Sequence, residues 1–357
     1  MATQSGTLRA VAEKANVSIA TVSYVLSGKG RMAVDTRHRI EGLLREAGLR
    51  PQYKRYPVFY LSDRVRFSDM ATFKPFLDVY EGLNRCLHGA DIDLRAEFLN
   101  EPNGKPLEAQ LEQLAGYKPG AMVLDSNLGQ HLAPTAAFFE NHGIPTVQVG
   151  HTVHSPAIDA VVVDNFSGAY FAIQHLIKIG HKRIATIRWN SANDPASGKK
   201  FAGFSCALTE AGLPVRPEYV VESLFTKVDD RLPGRVAAEQ LLALPEPPTA
   251  VFVENTFISP SLLHPSYPGE TSVPAAIAAL DCVHFEAWHT EWLEQVMAGK
   301  LAFPSRKTKM MRVNWQELGN VAGRRLIDRI EGASASGEVV QIIPRLFEVD
   351  GCDYRPL

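Results

Sequence analysis

The sequence predicts a small all-α head followed by an α/β body made of two doubly wound parallel-sheet lobes. Three observations lead to this prediction. Apolar residues in positions 1–50 recur at three- and four-residue spacing, which is the period of α-helices. From Val58 onward, short β-branched runs alternate with helical stretches, and the same rhythm restarts after about residue 165. A chain of 357 residues therefore divides into a head and two similar lobes.

The head and the body carry opposite charges. Residues 1–57 contain ten Lys and Arg against four Asp and Glu, a net charge of +6, which leaves 27 against 35, or −8, in the rest. Lys and Arg gain affinity for nucleic acids because they release counterions from phosphates. The basic head therefore favours nucleic-acid binding, although a basic surface on a small domain can also serve only solubility.

Composition and motifs argue against several other classes of protein. The four cysteines lie far apart without a CxxC pair, so we expect neither a metal site nor a disulfide framework. The N-terminus has no apolar leader and no run approaches 18 apolar residues, which predicts a cytoplasmic protein without a membrane segment. The histidines are dispersed, and HExxH, P-loop, GxSxG and strand-linked GxGxxG motifs are absent. We expect no enzyme and no cofactor.

Two helices and a tight turn are predicted at the start of the head. The first helix has Thr7 as its N-cap and ends at Asn16, since Asn tolerates the left-handed conformation of a turn. Its apolar face consists of Leu8, Val11, Ala12 and Ala15. Ser18 then caps a second helix. The inward face of that helix is formed by Thr21, Val22, Val25 and Leu26.

A third amphipathic helix completes the head and ends at Gly48. Its inward residues are Ile40, Leu43, Leu44 and Ala47. Three short helices, of which the first two are joined by a short turn, form a helix-turn-helix DNA-binding unit.

The segments TLRAVAEKANVSIATVSYVLSGKGR and TRHRI followed by LLREAGLRP resemble the lactose/galactose repressor (LacI/GalR) family of transcription regulators. The resemblance implies that the second helix enters the major groove. Ile19, Ala20 and Tyr24 then occupy base-reading positions, and Tyr24 either reads a base or stacks on sugar and phosphate. The expected DNA contacts are Ser18, Ile19, Ala20, Thr21, Ser23, Tyr24, Lys29, Arg31, Lys54 and Arg55.

The linker between head and body departs from the family pattern. Family members continue into a hinge helix that contains Ala-Arg-x-Leu and wedges a leucine into the minor groove. Here Pro51 and Pro57 bracket five residues, fewer than two helical turns, and that motif is absent. We expect no hinge helix, weaker bending of the DNA, and phosphate contacts from Lys54 and Arg55 instead.

In the body, predicted strands alternate with predicted helices. The strands are 58–61, 94–99, 121–124, 146–149, 160–163, 183–187, 219–222, 250–253, 275–280 and a terminal one over 339–349. The helices are 75–88, 106–116, 131–142, 168–179, 199–211 and 235–244. The stripe Phe76, Val79, Tyr80 and Leu83 recurs at helical spacing and serves either a dimer interface or the core.

The family resemblance continues through the body. Its motifs include Val163-Asp164-Asn165, Gly180-His181-Lys182-Arg183-Ile184, Gly203-Phe204 and Glu317-Leu318-Gly319. Bodies of this family are similar to periplasmic sugar-binding proteins, so the resemblance implies a periplasmic-binding-protein-like fold with a small effector in the cleft between the lobes.

Four effector contacts follow from the resemblance: Asp164, Lys200, Asn255 and Asp281. Lys200 replaces the family's cleft arginine, and Asp281 is matched to an aspartate that ends a strand. These groups suit a sugar or polyol, because carboxylates accept bonds from hydroxyls while Asn and a cation donate. Alternatively, Asp164 only caps a helix, Lys200 is a solvated surface lysine, and Asp281 merely ends a strand.

These expectations define domains and partners. The head spans 1–50, the linker 51–57 and the body 58–357; lobe 1 comprises about 58–164 and 300–330, and lobe 2 comprises 165–299 and 331–357. We expect a homodimer on a partly palindromic operator, associated with the nucleoid when bound.

The resulting function is a sequence-specific transcription regulator, a repressor controlled by a small, sugar-like effector. The alternatives are a solute-binding protein, or a ligand-independent DNA-binding regulator whose effector cleft has degenerated, because Lys200 and Asp281-Cys282 depart from the family pattern.

Overall fold

The computed structural model describes residues 2–27, 34–49, 57–63, 70–99, 105–153, 155, 158–189, 195–223, 233–255, 258, 262, 273–285, 308–331, 337–350 and 353–357. Lys29, Arg31, Lys54, Arg55 and the linker through residue 56 lie outside these described residues. The predictions made for them therefore stay predictions.

Three helices form the head: α1 (Ala2–Ala15), α2 (Ile19–Ser27) and α3 (Val34–Glu46). The described part of the head packs on one cluster of buried side chains: Val11, Ala12, Ala15, Val22, Val25, Ile40 and Leu44. The predicted start of α1 is wrong, because the helix begins at Ala2 and Thr7 lies inside it. No proline interrupts Ala2–Thr7, and the one glycine costs a helix only about 1 kcal/mol.

The turns of the head follow the prediction. Asn16 ends α1 with a left-handed φ of 52°, and Gly48 follows α3 with a φ of 70°. The Ser18 hydroxyl accepts a hydrogen bond from the Thr21 N–H at 3.0 Å, which caps α2. The helix-turn-helix arrangement is thereby confirmed.

Helices and strands alternate through the body. The described helices are α4 (Met70–Gly89), α5 (Leu107–Gly116), α6 (Leu132–Asn141), α7 (Asn165–Lys178), α8 (Pro195–Glu210), α9 (Pro233–Leu242), α10 (Ala275–Ala278) and α11 (Trp315–Ile330). The strands are β1 (Val58–Asp63), β2 (Leu94–Leu99), β3 (Ala121–Asp125), β4 (Thr146–Gly150), β5 (Asp159–Val163), β6 (Ile184–Trp189), β7 (Val220–Ser223), β8 (Ala250–Val253), β9 (Asp281–Phe285), β10 (Thr308–Arg312), β11 (Val339–Ile342), β12 (Arg345–Asp350) and β13 (Asp353–Pro356).

Among the described residues, these strands form two sheets, one in each lobe. The first sheet has the order β11-β5-β4-β3-β1-β2 and is parallel throughout. The second has the order β13-β12-β10-β9-β8-β6-β7, in which only β12 runs antiparallel to its neighbours. Helices cover both faces, so the predicted pair of doubly wound lobes is confirmed.

Three sequence predictions for the body are wrong. Residues 275–280 begin as a helix after Pro274, since this alanine-rich segment favours helix over strand. The predicted terminal strand over 339–349 is two strands in different sheets, separated at Pro344, whose missing N–H cannot extend a ladder. The lobe boundaries shift as a result: β10 belongs to the second lobe and β11 to the first.

Helices α4 and α11 cross at close distance in the first lobe. A Cβ atom on Gly82 would lie 2.0 Å from the Gln316 carbonyl oxygen, and one on Gly319 would lie 2.1 Å from that of Val79. Only glycine permits this contact. Phe76, Val79 and Leu83 are buried in the same chain's core, with Tyr80 packed against it, so the stripe serves the core. A dimer interface on this helix stays a prediction.

A buried carboxylate fixes the amino-terminal edge of the first sheet. Asp159, at the start of β5, is fully buried and accepts hydrogen bonds from Arg325 at 3.1 Å and Arg329 at 3.4 Å. Its second oxygen accepts from the Glu338 N–H at 2.8 Å, immediately before β11. This network joins β5, α11 and β11.

Candidate nucleic-acid interface and effector cleft

Helix α2 separates into a buried face and an exposed face. Val22 and Val25 are fully buried in the head, whereas Ile19 is 46% exposed and Tyr24 is 53% exposed. Side chains of this size are expensive to leave in water, so their exposure on one short helix suits contact with another molecule. Six of the ten predicted DNA contacts fall within this helix or at its cap: Ser18, Ile19, Ala20, Thr21, Ser23 and Tyr24.

The hydroxyl groups at the start of α2 are already engaged locally. Ser18 Oγ lies 2.8 Å from Thr21 Oγ1 and also accepts from the Thr21 N–H. A hydroxyl has one donor and two acceptor sites, so the pair retains capacity for a phosphate oxygen. The amino-terminal end of the helix dipole favours the same anionic group.

In the body, the carboxyl ends of β5 and β4 meet the start of α7. Asp164 accepts a hydrogen bond from the Ser167 N–H at 3.0 Å, so this carboxylate caps α7. The neighbouring Asn165 is buried, and its side-chain amide donates to the His151 carbonyl oxygen at 2.9 Å. Helix capping is therefore the structural role of Asp164, and its predicted effector contact remains a prediction.

The first lobe contributes an aromatic and acidic edge. Tyr60 Oη donates to Asp125 Oδ2 at 2.7 Å, and Asp125 Oδ1 accepts from the Asn127 N–H at 2.8 Å. Burial, and then the Asp125 charge, raise the pKa of Tyr60 well above 10.0. Beyond β4, the His151 ring meets the Trp315 ring edge to face at a centroid distance of 5.0 Å.

Lys200 lies in the interior of the second lobe. It is buried, its ammonium donates to the Glu254 carbonyl oxygen at 3.0 Å, and it stands 4.2 Å from the centre of the Phe285 ring. The alternative of a solvated surface lysine is therefore wrong. Glu254 follows β8 directly and Asn255 comes next, so Lys200 and Asn255 share the carboxyl edge of the second sheet.

The same edge holds a second cation. The Arg188 guanidinium stands 4.4 Å from the centre of the Phe201 ring and donates to Ser197 Oγ at 3.1 Å. Ser197 in turn donates to Glu254 Oε2 at 2.8 Å. Two strands and the first turns of α8 thus assemble one polar cluster, in which Ser197, Lys200 and Glu254 are buried and Arg188 is 18% exposed.

The structure places Asp281 away from this cluster. Asp281 begins β9, so it lies at the amino edge of the sheet and the prediction that it ends a strand is wrong. Its carboxylate accepts from Lys309, and His181 Nε2 lies 3.2 Å away. Burial acts to raise the pKa of Asp281, but Lys309 and His181 outweigh it and hold that pKa below 3.8. The prediction fails because 275–278 form a helix and the strand begins only at Asp281.

Sequence reasoning missed several residues of the cleft edges. Arg188, Ser197 and Glu254 carry no motif, and their proximity follows from the register of β6 beside β8. His151 directly follows β4, and its place near the end of the predicted strand 146–149 is the sequence signal that could identify it. Within the described residues, no group of three or more His, Cys, Asp and Glu side chains could hold a metal, and no helix is long and apolar enough to cross a bilayer.

The sequence matches three family profiles. The family described as "Bacterial regulatory proteins, lacI family" matches residues 7–52. The family described as "Periplasmic binding proteins and sugar binding domain of LacI family" matches residues 67–259, more than half of the chain. The "Periplasmic binding protein-like domain" matches residues 173–348.

Relatives and solved structures of the same kind span most of the chain. The transcriptional repressor PurR of Pectobacterium carotovorum is 26% identical over 98% of this chain and 99% of its own length. Catabolite control protein A of Priestia megaterium is 27% identical over 75% of this chain and 79% of its own length. The structure of a complex of the transcriptional regulator CelR with cellobiose is similar in fold, with a TM-score of 0.60, 21% identity, and coverage of 95% of this chain and 97% of that one.

Proposed function

The chain belongs to the LacI family of bacterial DNA-binding transcription regulators, and on that premise we propose that it is a homodimeric repressor of a partly palindromic operator, controlled by a neutral sugar-like effector. The family membership covers the head as well as the body, which sets the chain apart from a solute-binding protein. Its relatives are regulators rather than enzymes, and we propose no catalytic role.

The observation that supports this proposal most directly is the exposed face of α2. Ile19, Ala20 and Tyr24 project from a helix whose other face is buried against α1 and α3. A rigid helix of this kind fits the major groove, where apolar side chains contact thymine methyl groups. Net charge supports the same role, because the +6 of residues 1–57 attracts phosphates without selecting a sequence.

We propose two heads for each operator. A single head of three helices contacts one half-site, and dimeric proteins of this class bind half-sites about one helical turn apart or multiples of it. The stripe of α4 is buried in the core, so a dimer interface that includes this helix would use its exposed side chains, such as Leu77. We place the protein in the cytoplasm, on the nucleoid when it is bound to DNA.

We propose that the effector binds between the carboxyl edges of the two sheets. The second lobe offers Lys200, Asn255 and the carboxylate of Glu254, which together donate and accept hydrogen bonds as a polyol requires. The family profile that matches this region is named for sugar binding, and the similar CelR structure holds cellobiose. Both support a sugar as the class of ligand to test first.

A ligand-independent regulator is the second candidate, and one observation favours it. The Lys200 ammonium already donates to a backbone carbonyl within its own lobe. A cleft whose donors are satisfied internally has less to offer a ligand.

Operator selection from a random DNA pool, followed by footprinting, tests the main proposal. We expect a footprint with two related half-sites and an affinity that falls steeply as salt rises. A scrambled duplex of equal composition is the control. If selection enriches no sequence, the regulator proposal is wrong.

A thermal-shift screen of sugars and polyols tests the effector. We expect at least one compound to raise the melting temperature and to change operator affinity. If no compound in a broad panel does either, the ligand-independent candidate replaces the effector-controlled one.

A further inference from the structure

Two cations contact Glu254 at the cleft edge of the second lobe: Arg188 faces its carboxylate, and Lys200 donates to its backbone carbonyl. The Glu254 side chain is 1% exposed, and Oε2 accepts a hydrogen bond from Ser197 at 2.8 Å. Arg188 Nε is 3.9 Å from Oε1 on one side, and Lys200 donates to the Glu254 backbone carbonyl on the other. A carboxylate this deeply buried requires a nearby cation, and Arg188 provides it.

The two cations have further contacts within the chain. Arg188 also stands 3.7 Å from Glu222 and stacks on Phe201, while Lys200 stacks on Phe285. Among the described residues of this cluster, the positive charges of Arg188 and Lys200 are thus matched by the negative charges of Glu222 and Glu254. Without Glu254, Arg188 and Lys200 would form a positive pair at the place where a ligand enters.

We propose that Glu254 determines the charge class of the ligand, so that the cleft accepts uncharged polyhydroxylated molecules and rejects phosphorylated or carboxylated ones. This inference rests on the proposed function, since it assumes that the effector occupies the cleft. An anion would lose its hydration and meet the Glu254 carboxylate instead of free cations. Hydroxyl groups can donate hydrogen bonds to that carboxylate. Specificity is the difference between the affinity of the cleft for a neutral polyol and its affinity for an anion.

The substitution Glu254→Gln tests the inference, because it removes the charge and keeps the size and the hydrogen bond from Ser197. Glu222→Gln is the matched control: it removes the same charge beside the same arginine, but from a side chain that is 53% exposed. The probe is inorganic phosphate at millimolar concentration, compared with sodium chloride at equal ionic strength. Melting temperature and calorimetric titration report binding to the full-length protein.

We expect the wild-type protein and Glu222→Gln to respond to phosphate and chloride alike. Glu254→Gln should bind phosphate about tenfold more tightly than the wild-type protein does, because one negative charge close to the anion is gone. Adding Lys200→Met to Glu254→Gln should remove that gain. A folded Glu254→Gln that gains no phosphate binding would overturn the inference.

The wild-type measurement remains decisive even if Glu254→Gln fails to fold. The inference would be overturned if the wild-type protein bound phosphate specifically and a neutral sugar from the effector screen displaced that phosphate. Such a result would show that the cations of the cleft are available to an anion. Failure of the proposed function gives a different result, namely no operator and no stabilising sugar. Phosphate binding is measured on the full-length protein without DNA, so it is independent of operator binding.

Discussion

The head and the body expose their candidate functional groups in opposite ways. The head presents Ile19 and Tyr24 to solvent on a single helix, supported by a small apolar core. The body holds Lys200 and Glu254 almost fully buried, at a sheet edge assembled from segments more than fifty residues apart. A surface made by one helix depends on local sequence, whereas a site made by a sheet edge depends on topology.

This difference accounts for what the sequence could predict in each region. Asn16, Ser18 and Gly48 act on their own neighbours in the chain, so turn and capping preferences identified them correctly. The start of α1 was the exception, because a helix can extend without a distinctive signal.

In the body, errors came from strand boundaries and crossings. Taking 275–280 as a strand moved Asp281 from the start of β9 to the end of a strand, and thus to the wrong edge of the sheet. The exchange of β10 and β11 between the lobes could not be predicted either, because β10 (TKMMR) has no apolar pattern and β11 (VVQI) is too short to indicate its sheet. Periodicity identifies strands but does not assign them to a sheet.

The strongest test of the body's dependence on buried charge is Asp159→Asn. The change leaves Arg325 and Arg329 without their buried carboxylate, and breaking such a network typically costs about 3–5 kcal/mol. Glu317→Gln is the control, since its ion pair with Arg324 is exposed and should contribute about 0–1 kcal/mol. Denaturant unfolding of both variants measures this. A loss below about 1 kcal/mol for Asp159→Asn would contradict the claim.

The next test asks whether the head is a separate folding unit. Leu44 is fully buried in the head core, and Leu44→Ala should cost about 2–5 kcal/mol, enough to unfold so small a domain. We expect operator binding to be lost while the melting transition of the body stays in place. Leu77→Ala, at an exposed leucine of α4, should change neither property. Gel shift and calorimetry are carried out on the same samples. If Leu44→Ala also shifts the melting transition of the body, the head and the body are coupled.

A smaller effect is expected from the reading face itself. Tyr24→Ala should lower operator affinity about tenfold, or about 1.4 kcal/mol, without changing the melting temperature. Tyr117→Ala is a matched control in the body, because Tyr117 is 50% exposed and Tyr24 is 53% exposed. Reduced discrimination among operator variants would indicate base reading by Tyr24, whereas uniform weakening would indicate stacking on the backbone. Equal losses of operator affinity in Tyr24→Ala and Tyr117→Ala would show that removing any exposed tyrosine explains the loss.

The smallest expected effect concerns His175 of α7. Burial, and then the nearby charge of Lys309, lower the pKa of His175 below 6.5. The unfolded chain therefore takes up a proton at higher pH than the folded chain does, so this residue reduces stability as pH falls through 6.5 toward its folded pKa. When pH is lowered from 7.5 to 5, we expect the melting temperature to fall less in His175→Gln than in the wild-type protein. The two falls should differ by no more than about 3 °C.

The comparison within one pH range separates His175 from Asp281, a carboxylate near the same edge. Asp281 has its pKa held below 3.8, so the stability that it contributes is lost only at lower pH, as pH falls through that depressed value. At pH 7.5 His175 is neutral in both states, and the difference in melting temperature there measures only the loss of packing. If the difference between the two proteins is the same at pH 5 as at pH 7.5, burial of His175 does not make the body sensitive to pH.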